Sequence, residues 1–202
     1  MYRIYNLQRI AERKMNKAEI RKQETLRRKE LSRQQVTALS EKLLAQFALL
    51  DFNSINTLHL FLPIAEKNEP DTFLFIDWLT KHHPQIKIIV PRADFKTSLM
   101  THHHYTNTAA LLKSSFNILE PVVEQEYTGV IDLVIVPLLA FDDRGYRVGY
   151  GKGFYDRFLE GRSTLKAGLS FFKSVGTIAD THVNDVRLDL CITPDQIVYF
   201  KD

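Results

Sequence analysis

Hydrophobic and polar positions along the chain change period several times, and each change marks an element. Residues 17–29 and 33–49 set Leu, Ile and Val among charged residues at helical spacing, which predicts two amphipathic helices. Asn16 stands where an N-cap belongs for the first, and Ser32 with Gln35 three residues on forms a capping-box pattern for the second. Residues 57–61, 86–90 and 131–136 are short β-branched and aliphatic runs, the last two ending at Pro91 and Pro137. The run 131–136 (IDLVIV) is nearly unbroken, as expected for a strand buried on both faces in a parallel sheet. Between the first two runs, a loop from Leu62 leads through Asp71 or Thr72, either a suitable cap, into a helix with Phe73, Ile76, Trp78 and Leu79 among its apolar residues; this is a β-to-α crossover. Residues 99–105 predict a further strand, 109–115 a short helical turn, and 165–171, 188–193 and 197–200 three more strands.

Strands alternating with helices, without a repeat or a long linker, predict an α/β sandwich with a mostly parallel central sheet flanked by helices and with ligands at the strand C-terminal ends. The expected organisation is one domain over residues 16–202 behind a basic N-terminal extension, 1–15. At 202 residues, 45% of them hydrophobic and 25% charged, the chain can bury one substantial core. Cys191 is the only cysteine, so no internal disulfide can form, and its strand-like surroundings read as a site for a small buried hydrophobe. With no apolar run of transmembrane length and no signal-peptide core, the expectation is a cytoplasmic protein with no membrane partner. Residues 1–15 are basic and moderately amphipathic, as presequences are, but Glu12 and the lack of serine speak against one.

The net charge of +3 hides an asymmetry: residues 1–33 hold eleven Lys or Arg against four Glu, leaving −4 for the rest. Such a basic end can bind nucleic acid, whereas its interspersed Leu and Ile suit a solvated amphipathic helix. Lys17 and Arg21, four apart, share a helix face. The densest chemistry follows the run 131–136. A turn, Asp142-Asp143-Arg144-Gly145, precedes Arg147-Val148-Gly149-Tyr150-Gly151-Lys152-Gly153, after which a helical pattern puts Phe154, Phe158 and Leu159 on one face and Asp156 in its first turn. Alternate glycines let backbone N–H groups approach an anion, Arg147 could grip it bidentately, and Lys152 supplies a mobile point charge. The string fits neither the P-loop nor the dinucleotide fingerprint, and taken alone it suits a phosphate loop or a flexible connector. His102-His103-His104 invites a metal reading, but on a strand only His102 and His104 share a face, so exposed edge positions are expected.

The whole stretch VPLLAFDDRGYRVGYGKGFYDRFL resembles the signature of the 5-formyltetrahydrofolate cyclo-ligases, also called 5,10-methenyltetrahydrofolate synthetases, with Leu138 where the family usually has Gly and Val148 where Leu is commoner. Phe116-Asn117-Ile118-Leu119-Glu120-Pro121 resembles the family's Gly-Ile-x-Glu-Pro segment, and Asn tolerates the left-handed conformation that Gly would take. The resemblance implies ATP and Mg2+ as cofactors and 5-formyltetrahydrofolate, free or polyglutamylated, as substrate, with a monomer and no nucleic-acid partner expected. It implies an ATP site at Lys17, Arg21, Arg147, Gly149, Tyr150, Gly151, Lys152, Gly153, Phe154 and Tyr155. For the folate it implies Leu62, Glu69 and residues 150–154, with Glu66 as the alternative to Glu69. Asp156 and Asp185 are implied as metal ligands, and Lys152 and Arg147 as the catalytic charges. Two other readings stay open at this point: a related α/β enzyme acting on another phosphorylated or acyl metabolite, and a nucleic-acid-binding module built on the basic N-terminus.

Overall fold

The computed structural model describes residues 14–114, 117–122 and 125–201. In chain order the elements are α1 (Lys17–Lys29), α2 (Arg33–Phe47), β1 (Thr57–His59), α3 (Phe73–His82), β2 (Lys87–Asp94), β3 (Leu99–His104), β4 (Leu111–Lys113), β5 (Leu119–Pro121), β6 (Leu133–Pro137), β7 (Ala140–Phe141), β8 (Arg147–Val148), α4 (Phe154–Leu159), β9 (Leu165–Leu169), β10 (Leu190–Ile192) and β11 (Ile197–Tyr199). Both capping expectations hold: Asn16 with Glu19, and Ser32 with Gln35, exchange side-chain and backbone bonds at the starts of α1 and α2. Thr72 precedes α3 without a side-chain cap bond, and Asp71 Oδ1 instead accepts the Phe73 amide at 3.1 Å.

Seven strands form one sheet in the order β11-β10-β9-β6-β1-β2-β3, with antiparallel edges (β11 and β3) around five parallel strands. The protein is therefore an α/β fold with a mixed, mostly parallel sheet. Alternation along β6 explains why this run is apolar throughout. Leu133 and Ile135 enter the larger core with Leu43 and Phe47 of α2 and Phe75, Ile76 and Leu79 of α3, while Val134 and Val136 face Phe158 and Leu159 of α4. Cys191 is fully buried with the second set, as expected. Close packing there is tight at Gly168 of β9, where an added Cβ would stand 2.6 Å from Leu138 Cδ2 and 2.8 Å from Leu188 Cδ1. Both neighbours are flexible side-chain ends, so Gly168→Ala is expected to destabilise by about 1–3 kcal/mol, towards the lower figure, which urea unfolding would measure.

Several expectations need correction. Pro137 is the last residue of β6, as expected, but Pro91 lies within β2 rather than ending it: β1 pairs with β2 only as far as Ile89, so the missing N–H of Pro91 breaks no ladder. Residues 109–115 are not one helical turn. A 3-10 turn over Thr108–Ala110 gives way to β4, which pairs with β5 across a bend where Asn117 adopts φ 59°. His102 and His103 are buried, because α4 covers one face of β3 and residue Gln125 closes the other. Burial lowers the pKa of His102 to about 4, and that of His59, which faces it at 5.2 Å between ring centroids, is lowered well below the usual range for the same reason. Only His104 of the three is exposed.

Helix α1 also departs from a solvated amphipathic helix. Its inward stripe runs through Lys17, Ile20, Arg21, Glu24 and Arg28, so charged groups face the protein while Leu26 is exposed. Ile20 alone anchors this face in a small core with Ala140, Val148 and Ile178. Within the expected extension, Met15 bridges to Ile178, and residues 1–13 lie outside the described residues. Among the described residues, no helix is long and apolar enough to cross a membrane.

Candidate active site

Chain order around β1 determines where a ligand can enter. From β1 the chain crosses through α3 to β2 on one side and later returns to β6 on the other. Such a switch leaves a crevice beyond the strand C-terminal ends. A cleft of about 560 Å³ opens there, bounded by Phe61 and Leu62 after β1, Pro91 of β2, Pro137 of β6, the glycine loop and the first turn of α4. Of the residues singled out from the sequence, Lys17, Arg21, Leu62, Glu69, Arg147, residues 149–155, Asp156 and Asp185 line it, and Glu66 does not.

One half of the cleft is polar and basic. Arg21 Nε donates to Gly149 O at 2.9 Å, which fastens the glycine loop to α1. Gly151 and Gly153 adopt φ of 85° and 68°, values that L side chains rarely take; a Cβ on Gly151 would also approach the Arg21 guanidinium to 3.3 Å. Gly153 is the N-cap of α4 and turns the chain so that Asp156 faces back toward Arg147. None of the backbone N–H groups of residues 149–153 bonds to another described residue, so they are available to an anion.

Two ion pairs organise the floor. Arg147 Nη2 meets Asp156 Oδ1 at 2.7 Å, and Lys17 Nζ meets Asp185 Oδ1 at 2.6 Å, joining positions 168 residues apart. Arg147, with its side chain 6% exposed, gives its other prong to Val186 O, so its fork is committed to the protein rather than presented to a ligand. Burial lowers the Arg147 pKa and Asp156 counters it, which is why a cation placed so deep needs a carboxylate beside it. The loop carrying Asp185 is tied to α1 at a second point, where Asp180 Oδ1 accepts the Lys17 amide at 2.7 Å.

The other half is apolar around one acid. Phe61, Leu62, Met100, Ile118 and Leu119 form its walls, and Phe154 packs edge-on to Phe95 at 5.2 Å between centroids. Tyr155 borders the cleft while its ring packs on Phe158, so it serves the core and the site together. Glu69 is 5% exposed, and Oε2 accepts the Ile64 amide at 2.8 Å. Burial raises its pKa, and hydrogen bonds from Tyr150 and Ile64 with the charges of Arg28 and Lys67 act against that rise. Glu66, by contrast, is exposed and paired with Lys113 at 2.6 Å, so Glu69 is the glutamate the fold places in the cleft.

Sequence reasoning missed Lys67, which stands 4.0 Å over the Tyr150 ring. It also missed Arg28, seven residues after Arg21 on the same face of α1. Extending the helical period by two turns would have found Arg28; nothing local marks Lys67.

Comparison with known proteins agrees with this geometry. Residues 13–194 match the model of the 5-formyltetrahydrofolate cyclo-ligase family. A 5-formyltetrahydrofolate cyclo-ligase of Mycoplasma pneumoniae is 31% identical over 188 residues, covering 90% of this chain and 100% of the relative. The mitochondrial 5-formyltetrahydrofolate cyclo-ligase of Arabidopsis thaliana is 32% identical over 173 residues, 73% of this chain and 62% of the plant protein. The solution structure of Aquifex aeolicus 5,10-methenyltetrahydrofolate synthetase superposes with a TM-score of 0.77 at 29% identity, covering 93% of this chain and 94% of that one. With the match running from before α1 to beyond β10, and with the cleft at the strand ends built from the residues that carried the resemblance, the chain belongs to the 5-formyltetrahydrofolate cyclo-ligase family.

Proposed function

We propose that the chain catalyses the ATP- and Mg2+-dependent cyclisation of 5-formyltetrahydrofolate to 5,10-methenyltetrahydrofolate, with release of ADP and phosphate. The observation that carries this reading is the meeting, in one cleft, of an anion-receptive glycine loop with basic side chains and an apolar half holding a single buried carboxylate. Five basic side chains (Lys17, Arg21, Lys67, Arg147 and Lys152) face three acidic ones, an excess that suits a polyanion.

A formamide oxygen is a poor leaving group. Transfer of the γ-phosphoryl group of ATP to that oxygen makes phosphate the leaving group when the nitrogen at position 10 attacks the formyl carbon and closes the ring. The residues then have simple tasks. The amides of residues 149–153 with Arg21 and Lys152 receive the phosphates, and Arg147 keeps Asp156 oriented. Glu69 accepts hydrogen bonds from the folate, whose ring lies against Leu62 and Phe154. Positioning and charge neutralisation suffice, and no side chain is needed as a nucleophile.

The fit of Mg2+ can be judged from the donors. Asp156 and Asp185 offer hard oxygen ligands, and among the described residues no cluster of three or more His, Cys, Asp or Glu could cage an ion. Such a sparse set suits Mg2+, which retains waters and takes phosphate oxygens rather than a full protein shell. Asp185→Asn is accordingly expected to raise the Mg2+ concentration needed for half-maximal turnover by about tenfold; an unchanged titration would return Asp185 to its structural pairing with Lys17.

The deciding experiment is the near-ultraviolet absorbance of methenyltetrahydrofolate after mixing protein with 5-formyltetrahydrofolate, omitting ATP and Mg2+ in turn. A rise that needs both is expected. Folded protein that binds ATP yet gives no rise would retain the phosphate site and overturn the folate assignment, and a panel of other acyl or phosphorylated metabolites would then be the next substrates.

A further inference from the structure

Arg28 does not line the cleft, yet it is 2% exposed and among the largest fully buried side chains. A guanidinium keeps its charge, and burying one is unfavourable by several kcal/mol unless its donors are satisfied. Here Nη2 donates to Leu138 O at 2.6 Å and Nη1 to Tyr150 Oη at 3.2 Å, while Nε has no partner among the described residues. Nor does any carboxylate among the described residues form an ion pair with it. As a device for stability alone this is a poor arrangement.

Its connections suggest another purpose. The Tyr150 hydroxyl, which accepts from Arg28, shares the cleft with the Glu69 carboxylate and acts against the rise of its pKa. The main chain of the same arginine holds the loop that carries Glu69, because Asn68 Nδ2 donates to Arg28 O and Leu31 O, each at 3.0 Å, and Asn68 at φ 49° closes the turn just before Glu69. Arg28 thus joins the glycine loop through its side chain and the Glu69 loop through its backbone. Arg21, two turns earlier, fastens Gly149.

We propose that Arg28 is a positioning residue for the substrate half of the cleft: through Tyr150 it holds the Glu69 carboxylate at a set distance from the glycine loop. This rests on the reading of Glu69 as the folate contact. Besides Arg28, the charged and titratable groups facing Glu69 are Tyr150 of the glycine loop, Lys67 of its own loop and Tyr155 of α4. Removing Arg28 takes away a cation and frees Tyr150 to turn, and both changes push the Glu69 pKa further up.

The test uses the full chain with Arg28→Met, Arg28→Lys and Tyr150→Phe, singly, and the Arg28→Met/Tyr150→Phe double variant. In protein labelled with 13C at the glutamate carboxyls, the Glu69 signal is assigned by its loss in Glu69→Gln. Its titration is expected to move up by roughly one pH unit in Arg28→Met and in Tyr150→Phe, and the acid limb of kcat/KM for the folate should move with it. KM for 5-formyltetrahydrofolate should rise by about 10²-fold in Arg28→Met, with the ATP Kd unchanged within about twofold. Arg28→Lys should recover part of this loss, and the double variant should be no worse than the worse single one. An unmoved Glu69 titration, independent losses that multiply in the double variant, or a parallel rise in the ATP Kd would each overturn the proposal. If Arg28→Met does not fold, Arg28→Lys decides it by the same readouts and Tyr150→Phe by the Glu69 titration alone. A wild-type protein that makes no methenyl product would sink the folate reading itself, while the Glu69 titration would still report on Arg28.

Discussion

Replacing Lys152 with alanine is expected to lower turnover by about 10²–10³-fold and to leave the protein as stable as before. Lys17 and Arg147 already have carboxylate partners, whereas Lys152 makes no ion pair with any described residue and is exposed on the loop that faces the cleft. Its charge is therefore available to a phosphoryl group in transit, and little of the fold depends on it. The loop keeps its shape through the backbone: Lys152 O accepts Arg157 Nη2 at 2.5 Å, a bond the substitution does not touch. The absorbance assay and a thermal melt check the two halves of this expectation. Turnover near that of the wild type would remove Lys152 from the mechanism.

The second large effect lies at Asp156, and here stability and activity should part. Asp156→Ala leaves Arg147 with its charge almost fully buried and without its ion-pair partner, though Asp185 and Val186 O still offset part of it, and the expected loss is about 3–5 kcal/mol. Asp156 itself is 34% exposed and water can reach the site, so the lower figure is the better one. Adding Arg147→Met removes the stranded charge, and the double variant should regain about 1–2 kcal/mol of stability in urea unfolding. Activity should remain lost in both, because neither restores a carboxylate where the metal is proposed to sit. A double variant no more stable than Asp156→Ala would show that the ion pair does not carry the stability of this corner.

How much of this was legible in advance follows from the range of the interactions involved. The run 131–136 declared itself as a two-sided buried strand because neighbouring side chains enter two different cores, and that alternation is local. Helix starts at Asn16 and Ser32 were equally local, since the capping bonds span three residues. The glycine loop was readable as chemistry, and the requirement for glycine at positions 151 and 153 is written in their positive φ.

Burial of polar residues was not legible. His102 and His103 read as an exposed edge because nothing within β3 says that α4 will lie across it. The choice between Glu69 and Glu66 was open for the same reason: three residues apart in one loop, they are separated by the turn at Asn68, which sends one into the cleft and the other to Lys113 at the surface. Arg147 offered an anion a fork in the sequence, and in the fold Val186 and Asp156 occupy that fork.

The sequence by itself determined the main helices, the strands of the central sheet and its mostly parallel character, since these follow from periodicity and capping, and it marked the glycine loop, whose motif is contained in one stretch of chain. Only the tertiary structure decided which charges face one another. Lys17 meets Asp185 across 168 residues, and Arg28 reaches Tyr150 across 122. Desolvation and pairing depend on what packs against a group from distant segments, and neither is encoded in its immediate neighbours.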